Sequence, residues 1–104
     1  MPIQVVLCTI SPGQAEALAR TLVEERLAAC VNILPVRSVY RWQGALEVDT
    51  EETMLIKVSA EGVEALQQRV LELHPYALPE FVVLQVDAAA SLGAYVDWVR
   101  SETA

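Results

Sequence analysis

The side chains most able to do chemistry in this sequence are two cysteines and a single histidine. Cys8 lies within the apolar run of residues 3–9, Cys30 follows an apolar stretch, and His74 stands directly before Pro75. A thiolate is a soft ligand that suits copper(I), and imidazole suits either copper state. A thiol inside an apolar strand is also a common form of inert packing. The sequence therefore leaves two interpretations of Cys8 open, a copper ligand and a small buried hydrophobe.

A second set of candidates lies in the middle of the chain, where aromatic residues precede a run of acids. Tyr40 and Trp42 alternate, so we expect both on one face of a strand. The acids that follow are Glu47, Asp49, Glu51 and Glu52. We expect these carboxylates to form a solvated hairpin face, with loose binding of divalent ions through oxygen as the alternative.

The sequence shows no arrangement of a nucleophile with its base. His74 is the only histidine, and a Cys8–His74 couple is the one pairing that the chain offers. An iron–sulfur cluster needs four thiolates, whereas this chain has two cysteines. We therefore predict that the protein is not an enzyme and requires no cofactor.

Charge and hydropathy exclude other classes of function. The net charge is −7 and Lys57 is the only lysine, so no basic surface exists for a phosphate backbone, and we expect no nucleic-acid partner. No apolar run is long enough to span a membrane. The first residues lack the basic region and apolar core of a signal peptide, so we expect a cytoplasmic protein.

The apolar and turn residues predict an α+β fold made of a single domain over residues 1–104. Strands are expected at 3–9, 30–42, 46–58 and 80–86. Helices are expected from Ser11, as a capping residue, to about Ala29, over 60–73, and after Ser91. This order is β-α-β-β-α-β plus a C-terminal helix. It is typical of the ferredoxin-like α/β plait, a four-stranded antiparallel sheet, here with an extended hairpin between its second and third strands.

Five motifs in register along the chain resemble the CutA family of divalent-cation tolerance proteins. They are Val5-Val6-Leu7-Cys8-Thr9, the segment from Glu25 to Asn32, the hairpin from Ser38 to Gly44, His74-Pro75-Tyr76 with Pro79-Glu80, and Tyr95-Val96-Asp97-Trp98. The resemblance implies a homotrimer similar in shape to PII signal proteins. It also implies tolerance of divalent metal ions, copper above all, and no enzymatic reaction.

The resemblance further implies candidate sites. Cys8 and His74 match the motifs in which copper ligation is proposed. Ala77 and Leu73 stand where relatives often carry further polar or histidine ligands, so we predict weak copper binding. Tyr40, Trp42, Tyr76 and Glu80 are candidates for a cleft or a subunit interface.

Three functions follow as hypotheses. The first is a metal-responsive homotrimer. The second is a PII-like regulatory trimer that binds a small molecule at its subunit clefts, and the third is a structural or adaptor trimer. An independent reason favours a trimer. The apolar fraction of 54% exceeds the roughly 45–50% of soluble domains, and one face of such a sheet needs water or a partner to cover it.

Overall fold

Four strands and three α-helices follow one another in the predicted order. The structure is a computed structural model that describes residues 2–104. The strands are β1 (Ile3–Ile10), β2 (Cys30–Trp42), β3 (Ala45–Ser59) and β4 (Val82–Gln85). The helices are α1 (Ala15–Glu24), α2 (Val63–Leu73), which a short 3₁₀ turn at Ala60–Gly62 precedes, and α3 (Gly93–Glu102).

The strands form one antiparallel sheet in the order β2-β3-β1-β4, which confirms the predicted plait. Alternation along β1 places Val6, Cys8 and Ile10 on the face that α1 and α2 cover. Met54 lies opposite Cys8 on β3, and both side chains are fully buried. The core therefore lies between the sheet and these two helices.

The opposite face of the sheet is only partly covered by the chain itself. At one end, Val96 and Val99 of α3 pack against Ile3 and Ala29. Farther along this face, three apolar side chains remain half-exposed: Leu34, Val82 and Leu84. We call this second surface the open face.

The hairpin of β2 and β3 extends beyond the two inner strands. Its turn is Gln43-Gly44, and both residues have positive φ angles, of 51° and 82°. This conformation is the one that a tight two-residue hairpin needs. Pro35 lies in β2, which is an edge strand. Proline has no backbone N–H, but no strand within residues 2–104 pairs with the outer side of β2, so no hydrogen bond is lost there.

Helix α1 ends at Glu24, so the prediction that it continues to about Ala29 is wrong. Arg26 has a positive φ of 61°, which breaks the helix. The carbonyl of Arg26 instead accepts a hydrogen bond from the N–H of Ala104, and the N–H of Ala29 already donates to the carbonyl of Lys57 on β3. Tertiary bonds thus overrule the helical preference of the Leu27-Ala28-Ala29 segment.

Other predicted boundaries also differ. Strand β4 covers Val82–Gln85 rather than 80–86, because Pro79 and Glu80 belong to the preceding loop. The Ser11 side chain does not cap α1; its hydroxyl donates to Tyr76 instead. Ser91 does not cap α3, since its hydroxyl donates to the carbonyl of Asp87.

Both cysteines are free thiols. Among residues 2–104, no helix is both long and apolar enough to cross a bilayer.

Candidate functional site

A cleft of about 930 Å³ opens between the β2–β3 hairpin and the loop that joins α2 to β4. The predicted residues Tyr40, Trp42, Tyr76 and Glu80 all line it. The structure therefore brings together two motifs that are more than 30 positions apart in sequence. We call this space the hairpin cleft.

His74 fixes the loop that forms one wall of the cleft. Its backbone leaves the helical region, with φ −78° and ψ 134°, as expected for a residue before proline. Its Nδ1 accepts the backbone N–H of Tyr76 at 3.1 Å, so the proton lies on Nε2, which donates to the carbonyl of Thr9 at 2.8 Å. Both ring nitrogens are therefore engaged in holding the loop to β1.

Tyr76 extends this connection to β3. Its hydroxyl donates to Oε2 of Glu51 at 2.7 Å and accepts a hydrogen bond from the hydroxyl of Ser11 at 3.3 Å. Its ring meets that of His74 edge to face, with centroids 4.7 Å apart. Burial and the neighbouring Glu51 raise the pKa of Tyr76, so this phenol stays protonated and can donate.

A second chain of hydroxyl groups ends on Glu80. The hydroxyl of Thr9 donates to Oε2 of Glu80 at 3.2 Å and lies 3.0 Å from the hydroxyl of Thr53. Because Thr9 has one hydroxyl proton, Thr53 is the donor in that second pair. The two networks hold two carboxylates, Glu51 and Glu80, among the residues that line the cleft.

The hairpin supplies the aromatic wall. Tyr40 and Trp42 lie on the same side of β2, as predicted, and are 39% and 41% exposed. The Tyr40 hydroxyl donates to Asp49, and this bond is the main reason that the pKa of Tyr40 rises to about 12. Burial and the nearby charges of Asp49, Glu51 and Glu47 act in the same direction.

The cleft carries acidic side chains that no basic side chain neutralises within residues 2–104. Asp49, Glu51 and Glu80 line it, and no lysine or arginine in the described part of the chain does. The salt bridges among residues 2–104 lie elsewhere and use Arg20 and Arg69. Three carboxylates therefore face a space that lacks a positive charge.

The two predicted metal ligands, Cys8 and His74, do not line the hairpin cleft. Cys8 is fully buried on the helix-covered face, where burial, with a smaller effect of Glu80, raises the pKa of its thiol to about 12. His74 is 8% exposed, and both of its nitrogens are hydrogen-bonded. Within residues 2–104, no group of three or more His, Cys, Asp or Glu side chains is arranged to hold a metal ion.

Sequence reasoning missed the importance of Glu51. The acids of β3 were expected on a solvated face, but Glu51 is 7% exposed and accepts a hydrogen bond from Tyr76. Glu52 reaches the start of α1. Their signal in the sequence is weak, because alternation assigns a face and cannot show what covers that face. Leu78, Pro79 and Phe81, which complete the cleft, carry no chemical signature of their own.

Comparisons with known proteins agree with this fold. The family model described as CutA1 divalent ion tolerance protein matches residues 4–102. The chain is 46% identical to the divalent-cation tolerance protein CutA of Thermus thermophilus over 102 residues, which cover 96% of this chain and 97% of that protein. It is 42% identical to protein CutA of Homo sapiens over 90 residues, but spans only 49% of that longer protein.

Solved structures show the same architecture. The PII-like protein CutA from Nostoc, solved in its apo form, superposes with a TM-score of 0.95 at 50% identity, over 97% of each chain. The CutA1 structure from Oryza sativa gives a TM-score of 0.93 at 34% identity and covers 100% of this chain and 95% of that one. The fold is thus that of a PII-like α/β plait. This chain belongs to the CutA1 family of divalent ion tolerance proteins, which confirms the resemblance seen in its sequence.

Proposed function

We propose that this protein is a cytoplasmic homotrimer that acts in the tolerance of divalent metal ions, copper above all, through weak binding rather than catalysis. The observation that carries the proposal is the match, along nearly the whole of both chains, to a Thermus relative named for divalent-cation tolerance. No cofactor is required in this proposal.

Weak binding follows from the surroundings of the candidate ligands. Copper at Cys8 would require loss of a proton from a thiol whose pKa is raised to about 12. His74 would have to give up a hydrogen bond, either to Thr9 or from Tyr76. Both costs subtract from the affinity of a two-ligand site. Harder divalent ions have the carboxylates of the hairpin cleft as alternative ligands.

Calorimetric titration with copper and with a harder divalent ion such as Mn²⁺ tests this proposal. We expect weak, saturable copper binding that decreases in Cys8→Ser and in His74→Gln, and that is unchanged in Glu24→Gln, which removes an exposed charge outside the cleft. Circular dichroism and sedimentation confirm that each variant is folded. Copper binding equal to wild type in both ligand variants would refute the Cys8–His74 site. Absence of binding by any divalent ion would refute the metal function.

Two structural features support the trimer. The open face leaves Leu34, Val82 and Leu84 half-exposed, and β2 has no neighbour on its outer edge among residues 2–104. An unpaired strand edge can pair with a strand of another chain, and an exposed apolar patch marks an interaction site. We expect Leu84→Glu, on the open face, to give monomers in analytical ultracentrifugation. Leu71→Glu, on the outer side of α2, serves as the matched control and should stay trimeric. A wild-type monomer at micromolar concentration refutes the trimer.

A second candidate function is regulation by a small molecule, as in a PII-like trimer, and the size of the hairpin cleft favours it. Its volume of about 930 Å³ lies in the range of small-molecule sites, and its lining mixes aromatic with acidic groups. Thermal shift with metal ions and with nucleotides separates this function from the first. A trimer that responds to neither would favour a structural or adaptor function.

A further inference from the structure

We propose that Arg100 of one copy forms an ion pair with Glu47 on the hairpin of a neighbouring copy. This inference deepens the proposed function, because it rests on the homotrimer and names a contact between its subunits. Two observations carry it. Each side chain is a half-buried charge that no salt bridge among residues 2–104 neutralises, and the two lie far apart within one chain.

Arg100 lies in the last turn of α3, next to Val99, which packs against Ile3. Its Nε is the one buried side-chain nitrogen or oxygen among residues 2–104 that has no hydrogen-bond partner. The helix dipole favours a cation near this end of α3, but that attraction leaves the Nε–H group unsatisfied. Asp97, one turn earlier, forms no salt bridge with Arg100. A buried donor of a charged group is costly without an acceptor, and this chain does not supply one.

Glu47 lies on β3 opposite Tyr40, on the side of the hairpin that carries the aromatic rings. It is half-buried, and no salt bridge within the described chain reaches its carboxylate. The next two acids on this side of β3, Asp49 and Glu51, each accept a hydrogen bond from a tyrosine hydroxyl. Glu47 is therefore the carboxylate of this side that is still available for a cation.

The two charges are too far apart to meet within one chain. Helix α3 packs beside Ile3, which pairs with Ser59 at one end of β3, and Glu47 lies twelve positions back along that strand. Twelve residues of strand span about 40 Å, a distance that no side chain bridges. The pair therefore requires two copies of the protein.

Arg37 and Arg41 of the hairpin are the other cations that could reach Glu47 from a neighbouring copy. Both are exposed to water, and alternation places them on the side of β2 that faces away from Tyr40. Arg100 differs from them, because part of its guanidinium is buried and lacks an acceptor. The observations thus favour Arg100 as the partner.

The separation of the two charges makes the contact head to tail. Each copy gives Arg100 to one neighbour and Glu47 to the other, and such a contact repeats around a closed ring when the rotation closes. In the assembled protein both side chains leave water together, and their pairing offsets part of the cost of burying each charge. Loss of either partner therefore leaves an uncompensated charge at the subunit interface.

Crosslinking tests where the two residues lie in the trimer. Arg100→Cys and Glu47→Cys are combined in a Cys30→Ser background, in which the fully buried Cys8 is the only other thiol. A short bismaleimide joins cysteines of neighbouring copies, and a denaturing gel separates covalent dimers and trimers from monomers. The matched control combines Glu47→Cys with Arg20→Cys, which lies on the exposed side of α1. We expect covalent dimers and trimers with Arg100→Cys and only monomers in the control.

Charge reversal tests the contribution of the pair to assembly. Arg100→Glu and Glu47→Arg each place like charges together, so we expect sedimentation to show assembly that is weaker by about tenfold or more in each variant. The double variant restores the pair with its polarity reversed, and its assembly should return towards that of the wild type. Arg20→Glu should assemble as the wild type does, and circular dichroism confirms that each variant is folded.

The possible failures are distinguishable. A wild-type monomer refutes the homotrimer itself. A stable trimer refutes this contact alone if it gives no crosslink or links the control equally, if the single reversals assemble normally, or if the double reversal is no better than either one. Rescue of Glu47→Arg by Arg37→Glu or Arg41→Glu, and not by Arg100→Glu, would also overturn the inference, because a hairpin arginine would then be the partner.

Discussion

The carboxylate of Glu52 on β3 caps the backbone N–H of Ala15, the first residue of α1, at a distance of 3.2 Å. The same oxygen accepts the N–H of Gly13 at 2.9 Å. A side chain from the sheet thus satisfies donors at the helix N-terminus that a capping side chain next to the helix usually satisfies. Its negative charge also complements the positive end of the helix dipole.

Replacing Glu52 by alanine should therefore destabilise the protein. We expect the free energy of unfolding to fall by about 1 kcal/mol, the usual effect of losing an N-cap. Guanidinium unfolding at a fixed protein concentration measures it, because assembly makes stability depend on concentration. Ser11→Ala is the informative comparison: a larger loss there than in Glu52→Ala would show that the local residue is the true cap.

His74 should contribute to stability through the two hydrogen bonds of its ring. His74→Ala leaves the carbonyl of Thr9 and the N–H of Tyr76 without their partners, and each unsatisfied buried group costs about 1–3 kcal/mol. We expect a loss of at least about 2 kcal/mol by denaturant unfolding, and a smaller loss for Leu73→Ala next to it. Treatment of the wild type with a chelator should leave its stability unchanged. A chelator effect as large as that of the substitution would show that His74 stabilises the fold through a metal ion.

The three tyrosines should lose their protons at a higher pH than free tyrosine does. The pKa of Tyr40 is raised from 10.0 to about 12 by its hydrogen bond to Asp49, and those of Tyr76 and Tyr95 are raised first of all by burial. Because the folded state holds the Tyr40 proton more tightly than the unfolded state, this contribution to stability is complete below pH 10 and is lost as the pH rises towards 12.

Absorbance at 295 nm, which follows phenolate formation, checks this prediction. We expect little phenolate at pH 10 in the folded protein. Asp49→Asn should lower the pKa of one tyrosine towards its ordinary value. That tyrosine is identified as Tyr40 because its titration step is absent in Tyr40→Phe. An unchanged titration curve in Asp49→Asn would contradict the assigned cause.

Cys8 should be unreactive while the protein is folded. Its thiol is fully buried, and its pKa is raised from 9.0 to about 12, so almost no thiolate exists at pH 8. In Cys30→Ser, where Cys8 is the only thiol, we expect no reaction with Ellman's reagent until guanidinium unfolds the chain. The matched Cys8→Ser variant should show partial reaction of the half-buried Cys30. Rapid labelling of Cys8 in the native state would mean that this strand opens readily.

The order of the elements was predictable because it depends on local patterns. The apolar run that predicts β1 and the hairpin predicted between β2 and β3 each depend on a few neighbouring residues, and the structure confirms both elements. The side-by-side placement of Tyr40 and Trp42 was likewise predictable, since alternation along a strand fixes the face on which each side chain lies.

Tertiary structure decided the features that depend on contacts between distant residues. Local propensity favoured continuing α1 through Leu27-Ala28-Ala29, yet the bonds of Arg26 to Ala104 and of Ala29 to Lys57 end it. Ser11 had the type and position of a cap, but Glu52, more than 40 positions later, took that place.

The candidate site also combines features that the sequence determined with features that only the fold decided. The sequence by itself determined which residue types were present, including the acids of β3 and the His74-Pro75-Tyr76 motif. Only the fold decided that Tyr76 donates to Glu51, that both nitrogens of His74 are engaged and that Cys8 faces the core. The physical reason is that burial and hydrogen bonding are properties of pairs brought together by the chain, and the type of one residue does not specify its distant partner.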